Sequence, residues 1–167
     1  MATPTSLPAA QTSGNVLTAA YMNDLRGAFR ILQVVTGVAS SQNASTSTTY
    51  IDSGLSATIT LQSTSSTVLV FYSQNIYSDT AATGGGLRLV RNVPSANTVL
   101  RTDIDLSYGA GSGMLTQHSF IYLDSPASTS AITYKTQFCR TLGAGNIFVQ
   151  ANGTNQRANI VLLEVSS

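Results

Sequence analysis

The stretch TVLVFYSQNI, residues 67–76, carries consecutive apolar side chains from 68 to 72. FIYL at 120–123 and IVLL at 160–163 are apolar at every position in the same way. Successive side chains of a β-strand point to opposite faces of a sheet, so each run would be apolar on both faces. A two-layer sandwich covers only the inner face of each sheet, and large exposed apolar patches are rare on monomers. The three runs therefore predict a β-sandwich that packs against another subunit.

Two other segments have the pattern of a strand with one wet face. In residues 101–106, Ile104 and Leu106 alternate with Asp103 and Asp105, and residues 132–138 alternate in the same way. Clusters of Gly, Ser, Asn and Pro separate the apolar runs, as they do between the strands of a sheet. With no helical pattern between the runs, their number and spacing predict a mostly-β fold, an antiparallel jelly-roll sandwich. The predicted strands are residues 49–52, 57–61, 67–76, 86–92, 99–106, 115–123, 131–138, 147–149 and 159–165.

Residues 18–37 form a separate segment with helical spacing. Its apolar side chains recur at intervals of three, four and three residues, which predicts one amphipathic helix that Thr18 caps and Gly37 ends. Gly27 lies in the middle of the predicted helix, where glycine lowers stability by about 1 kcal/mol relative to Ala. A neighbouring backbone that packs closely against Gly27 explains the presence of glycine better than a solvent-exposed position does. The stripe fits a helix docked on its own domain or one within an oligomer. The predicted packing or docking residues are Met22, Leu25, Gly27, Phe29 and Leu32.

Residues 1–17 precede this helix and offer little apolar surface. Proline residues among Thr, Ser and Ala favour an extended arm. We expect such an arm to become ordered on a partner, and its predicted attachment residues are Thr3, Pro4, Leu7 and Pro8. The expected organisation is an arm at 1–17, a helix at 18–37 and a jelly-roll domain at 38–167.

Charged residues make up only 9% of the chain, whereas about a quarter of the residues are Ser or Thr. The formal net charge is +1, too little to hold a phosphate backbone, whose binding depends on clustered cations. Nucleic acid is therefore not an expected partner. Membrane insertion is not expected either, because no apolar run approaches the length of about 18 residues that a spanning helix needs. Cys139 is the single cysteine, which excludes an intramolecular disulfide and a Cys-based zinc site within one chain.

His118 is the single histidine, so a Ser-His-Asp triad within one chain would have to include it. No G-x-S-x-G nucleophile elbow accompanies it, and a surface or interface position is the better interpretation. Asp103 and Asp105 are expected on one side of their strand with Arg101, where an ion-pair ladder is a better interpretation than an acid pair or a calcium site. The sequence predicts no enzyme, no metal site and no cofactor.

Glycine-rich stretches at 84–86 and 109–113 lack the Lys and the following helix of a phosphate-binding loop, which makes them candidate hairpin tips. Tyr77, Asn97 and Tyr108 lie near such tips. Because loops on a rigid scaffold are common places for recognition, these residues are candidates for contact with a sugar or a protein.

Several motifs resemble one known family. GNVLTAAYMNDL at the N-terminus resembles the opening of small virion structural proteins of tailed bacteriophages. The resemblance implies a trimeric jelly roll of tumour-necrosis-factor or C1q-like shape on an N-terminal attachment segment. The chain has no shaft repeats between residues 37 and 50, which favours a compact piece close to the particle over a long fibre. The motifs that carry the resemblance are residues 14–25, 50–55, 65–70, 89–91, 123–126, 133–135 and 160–165.

Together with these observations, the resemblance implies a non-enzymatic, homotrimeric capsid decoration (cement) or short fibre protein of a phage virion, made in the host cytoplasm and released by lysis. Its expected partners are copies of itself and other virion proteins of the capsid or tail. The alternative is a receptor-binding module of a tail or baseplate fibre that recognises host glycan or envelope protein through its loop tips. The predicted trimer-interface residues are Val68, Val70, Tyr72, Ile121, Leu123, Leu162 and Leu163.

Overall fold

The computed structural model describes residues 12–14, 16–22, 31–93, 96–151 and 156–166. Most of these residues lie in β-strands, and the described part of the chain contains ten of them. The strands are β1 (Ile31–Ala39), β2 (Asn43–Ser45), β3 (Ile51–Thr60), β4 (Thr67–Ser78), β5 (Gly84–Val93), β6 (Ala96–Leu106), β7 (Met114–Asp124), β8 (Ala131–Leu142), β9 (Ile147–Val149) and β10 (Ala158–Val165).

The strands form two antiparallel sheets. In the first sheet β4 is central, with β10 and then β9 along one side and β7 along the other, while β1 and β2 lie outside β10 and β9. The second sheet has the order β3–β8–β5–β6. The chain crosses between sheets from β2 to β3, β3 to β4, β4 to β5, β6 to β7, β7 to β8 and β8 to β9. The predicted antiparallel sandwich is confirmed, and these crossings fit a jelly roll.

Of the predicted helix at 18–37, residues 18–22 and 31–37 lie within the described residues, and residues 19–22 form one helical turn. Thr18 caps it, because the Tyr21 amide donates to Thr18 Oγ1 at 3.1 Å and the Met22 amide donates to the Thr18 carbonyl at 3.0 Å. The predicted residues Leu25, Gly27 and Phe29 lie outside the described residues, and so do the predicted attachment residues Thr3, Pro4, Leu7 and Pro8 of the arm.

The predicted end of the helix at Gly37 is wrong. Residues Ile31–Ala39 form β1, which pairs with β10 along its length, so Leu32 belongs to a strand. The segment contains Val34, Val35, Thr36 and Val38, and β-branched residues favour strands over helices. The partner strand of β1 is β10. Because β10 is distant in sequence, the spacing of apolar residues within the segment could not reveal this pairing.

Gly37 is required where β1 passes over β3 of the other sheet. A Cβ at this position would collide with the Ser56 carbonyl oxygen and lie 2.9 Å from the Ile160 side chain. Because β1 and β3 are edge strands on the same side of the sandwich, the missing side chain lets the two sheets close on that side.

We expect Gly37→Ala to destabilise the fold by about 1–3 kcal/mol, the usual cost of overpacking. The Ser56 oxygen is backbone and can move away only by shifting β3. Gly111→Ala is the matched control, since a Cβ there meets no atom within 4 Å. Denaturant unfolding of both variants at one protein concentration measures the difference. Equal midpoints would contradict the close approach.

Two apolar clusters fill the space between the sheets, and a buried polar layer separates them. The larger includes Leu55, Ile132 and Leu162, and the smaller includes Ile76 and Phe138. The polar layer joins three strands: Thr136 Oγ1 donates to Gln74 Oε1 at 2.7 Å and shares a hydrogen bond with Ser53 Oγ. All three side chains are buried. Such mutual bonding offsets the cost of burying polar groups.

A buried ion pair ties the two sheets together at one end. Arg91 of β5 donates from Nη1 to both carboxylate oxygens of Asp124 of β7, at 2.8 and 2.9 Å. The Tyr134 hydroxyl of β8 donates to Asp124 Oδ2 at 2.7 Å. Burial, then the bond to this carboxylate, raises the pKa of Tyr134 far above its usual range. The hydroxyl therefore stays a donor, and Asp124 accepts from two adjacent strands of the opposite sheet, β5 and β8.

Candidate assembly face and adjacent cleft

The outer face of the first sheet carries a continuous apolar band. The strand registers align Val34, Leu163, Leu69 and Leu123 in one cross-strand row. The next row contains Val161, Phe71 and Ile121. These side chains alternate with buried ones on β4 and β10 and with half-buried ones on β1 and β7, so they point away from the core. We call these seven residues the apolar band.

Several members of the band are open to solvent in the single chain. Val34 is 57% exposed, Ile121 59% and Leu123 61%. Phe71, Val161 and Ile121 also line a hollow of about 610 Å³ on this face. Solvent contact of so many adjacent large apolar groups is unfavourable, at roughly 25 cal/mol for each Å² of apolar surface.

Three polar side chains, Ser73, Gln117 and Ser119, lie next to the apolar band along the sheet, and we call them the polar waist. Ser73 Oγ accepts from Gln117 Nε2 at 2.8 Å and from Ser119 Oγ at 3.0 Å. Asn159 pairs with Ser73 on the other side. These polar side chains interrupt the apolar surface across β10, β4 and β7.

Beyond the waist the same face becomes aromatic. Tyr77 of β4 lies beside Phe148 of β9 and Leu115 of β7 in one cross-strand row. The Tyr77 and Phe148 rings have their centroids 5.6 Å apart and are tilted by 48°. They line a separate cleft of about 410 Å³ together with Gln42, Gly113, Leu115 and Ala151.

The outer face of the second sheet is polar instead. Asp52 accepts from Lys135 Nζ at 2.8 Å and from Gln137 Nε2 at 2.5 Å, and Gln137 Oε1 accepts from Arg88 Nε at 2.8 Å. Partial burial raises the pKa of Asp52, but the bonds from Lys135 and Gln137 outweigh it and hold that pKa below its usual value. Arg88 also lies 4.3 Å above the Tyr50 ring, and burial raises the Tyr50 pKa to about 12. The two faces of the sandwich therefore differ sharply in polarity.

The structure corrects the predicted set of interface residues. Val68, Val70, Tyr72 and Leu162 point into the sandwich and are 0–3% exposed, so they belong to the core of the single chain. Ile121 and Leu123 point outward, and so does Leu163. The runs are apolar on both faces, so their sequence alone does not show which alternate residues are inside. Val34, Leu69, Phe71 and Val161 also lie on this outer face and were not in the predicted set.

His118 connects the edge strands of the two sheets. Its Nε2 lies 3.2 Å from Asp103 Oδ2 of β6, and Asp103 Oδ1 lies 2.7 Å from Arg101 Nη2. The Arg101 guanidinium lies 3.9 Å above the Phe120 ring of β7. Charged side chains turned toward the gap between sheets protect open edges against unwanted pairing. We interpret these side chains as a group that closes the gap between the two sheets on the side where β6 and β7 are the edge strands.

The expected pairing of Asp103 and Asp105 on one side of the strand is wrong. The register of β6 against β5 shifts here, and Asp105 has a left-handed φ of 57°. Asp105 accepts instead from Thr141 Oγ1 at 2.8 Å. The Arg101–Asp103 ion pair itself is present.

Among the described residues, no group of three or more His, Cys, Asp or Glu side chains is placed to hold a metal ion. No helix in the same part of the chain has the length and hydropathy needed to cross a membrane.

Comparison with known proteins gives a likeness of fold. No family model matches the sequence, and no curated protein is similar enough in sequence to count as a relative. Eiger TNF from S. frugiperda has a TM-score of 0.47 and 11% identity, with 83% of this chain and 95% of that chain covered. Murine APRIL has a TM-score of 0.42 and 8% identity, with coverage of 78% and 99%. A chain of infectious bursal disease virus, Gx strain, has a TM-score of 0.43 and 14% identity, with coverage of 82% and 38%.

Proposed function

We propose that this protein is a non-enzymatic, homotrimeric structural protein of a tailed-phage virion, a capsid decoration or short fibre protein. The observation that supports assembly is the contrast between the two outer faces. One carries the apolar band and the other a hydrogen-bonded polar ladder. A second copy that covers the band removes its apolar side chains from water while the ladder stays in solvent. The phage assignment and the trimer rest on the sequence motifs described above.

Light scattering of the purified protein tests the assembly. We expect a mass of about 52 kDa, three times the 17.4 kDa of one chain, that persists at micromolar concentration, because obligate interfaces bury more than about 2,000 Å² in total. A stable folded monomer at that concentration would contradict the proposal. A stable dimer would retain the assembly face and reject the trimer.

The arm and the following helical segment provide attachment to the particle in this proposal. Thr3, Pro4, Leu7 and Pro8 contact the virion, and Met22, Leu25, Gly27 and Phe29 support docking or packing. Leu32 is left out because it belongs to β1.

Deletion of residues 2–13 is expected to leave the oligomer intact and to abolish incorporation into particles. The deletion leaves the apolar band untouched but removes the attachment residues. Oligomer mass and occupancy on purified virions, counted by cryo-electron microscopy, measure the two effects separately. Full occupancy of the shortened protein would argue against attachment through the arm.

The second candidate, a receptor-binding module of a tail or baseplate fibre, is favoured by one feature. This feature is the cleft at Tyr77 and Phe148, which lies outside the apolar band.

A further inference from the structure

We propose that the cleft at Tyr77 and Phe148 is a binding site for a neutral saccharide. Its volume of about 410 Å³ lies within the range of small-ligand sites, which combine apolar and aromatic walls with a few polar groups. The size suits one or two sugar rings. The proposal does not depend on the oligomeric state.

The walls of the cleft are held in place by the fold. Phe148 pairs with Ala44 of β2 on one side and with Tyr77 of β4 on the other, so its backbone is held between two strands. Ala151, two residues after β9, is held by buried Asn75, whose Oδ1 accepts from the Ala151 amide at 3.0 Å. A preformed wall lowers the conformational cost of binding a ligand.

The lining fits a sugar better than a charged or purely apolar ligand. None of the six lining residues carries a charge, so an acidic or basic ligand would lose hydration without gaining an ion pair. The Tyr77 and Phe148 rings offer apolar faces for the C–H groups of a pyranose. Gln42 and the Tyr77 hydroxyl offer donors and acceptors for sugar hydroxyls.

Gly113 keeps the Tyr77 hydroxyl accessible. Its φ is +77°, and a Cβ there would lie 3.6 Å from that hydroxyl oxygen. Gly113 therefore adopts a left-handed conformation that favours glycine, and it has no side chain that would cover the Tyr77 hydroxyl.

A second copy of the chain is the weaker candidate as occupant. The polar waist of Ser73, Gln117 and Ser119 lies between the apolar band and the cleft. Those side chains already bond one another, and an apolar interface extended across them would desolvate them. The band can be covered while the cleft stays open at the far end of the sheet.

Ligand-observed NMR and calorimetry with maltose, cellobiose, lactose, chitobiose and mannobiose test the site. We expect at least one to bind with a Kd on the order of 1 mM. The charged probes 3′-sialyllactose and glucuronic acid are expected to bind at least tenfold more weakly than that disaccharide. Phe148→Ala should weaken binding at least tenfold, and Gln42→Ala at least threefold.

Ile104→Ala is the control, because it removes an exposed apolar side chain of β6 that does not line the cleft. This variant should bind as the unchanged protein does. If Phe148→Ala fails to fold, the Gln42→Ala variant still tests the site, because Gln42 is exposed and does not belong to the core. Absence of binding to all five neutral disaccharides, preference for the charged probes, or unchanged binding in Gln42→Ala would each overturn the proposal. Light scattering on the same samples reports the trimer independently of sugar binding.

Discussion

Leu163→Asp is expected to convert the assembled protein into a folded monomer. Leu163 lies in the apolar band, opposite Val34 on one neighbouring strand and Leu69 on the other. In the single chain its side chain is on the outer face, so a carboxylate there remains hydrated. In the assembly it would be desolvated without a partner, at a cost on the order of 3 kcal/mol for each subunit. That cost weakens each contact by more than about a hundredfold.

Two further substitutions make the test specific. Leu162→Asp, one residue away, should prevent folding, because Leu162 is fully buried in the core of the single chain. Thr58→Asp should leave the mass unchanged, since Thr58 is exposed on the second sheet. Light scattering gives the mass, and circular dichroism reports folding. A Leu163→Asp protein that keeps its full mass would place the interface elsewhere.

The contrast between Leu162 and Leu163 shows how far the sequence could lead. A run of four apolar residues predicts a strand, and residues Ala158–Val165 do form β10. The direction of each side chain depends on pairing with β1 and β4, which are distant in sequence. Only the registers settle which alternate residues form the core.

For the segment 31–37 the sequence predicted the wrong secondary structure. The spacing of its apolar residues continued the helical pattern of the preceding residues, and nothing in the local sequence indicated pairing with β10. Tertiary pairing overrides such a local preference when a strand partner is available. Glycine is common at the end of a helix, so Gly37 suggests a helix terminus in the sequence. In the structure its missing side chain lets β1 pass close to the Ser56 carbonyl.

The polar groups show the same dependence on distant contacts. The sequence places Asp103 with Arg101 and Asp105 and gives no sign of a contact with His118, yet in the fold the contact of His118 with Asp103 joins two edge strands that do not pair with each other. Arg91, Asp124 and Tyr134 belong to three separate motifs of the family resemblance, at 89–91, 123–126 and 133–135. In the fold these motifs meet at one buried site. A search for oppositely charged residues within otherwise apolar strands could have singled out Arg91 and Asp124.

Asp124→Ala is expected to destabilise the protein by about 3–5 kcal/mol, the usual result of removing one partner of a buried ion pair. The Asp124 side chain is 8% exposed and that of Arg91 is 19% exposed. Without the carboxylate, the guanidinium and the Tyr134 hydroxyl lose their shared acceptor. Arg91 Nε is already buried with no hydrogen-bond partner among the described residues, so the remaining cation would be poorly compensated.

The ion pair of Lys135 and Asp52 supplies the matched comparison. Its N–O distance is also 2.8 Å, but Asp52 is 55% exposed, and exposed pairs contribute about 0–1 kcal/mol. Lys135→Ala should therefore cost far less than Asp124→Ala in denaturant unfolding at one fixed protein concentration. The double variant Arg91→Met with Asp124→Leu should recover much of the loss, because it removes both charges from the buried site and replaces them with apolar groups. A loss in Asp124→Ala no larger than in Lys135→Ala would mean that water reaches the pair and that the apolar core alone holds the two sheets together at this end.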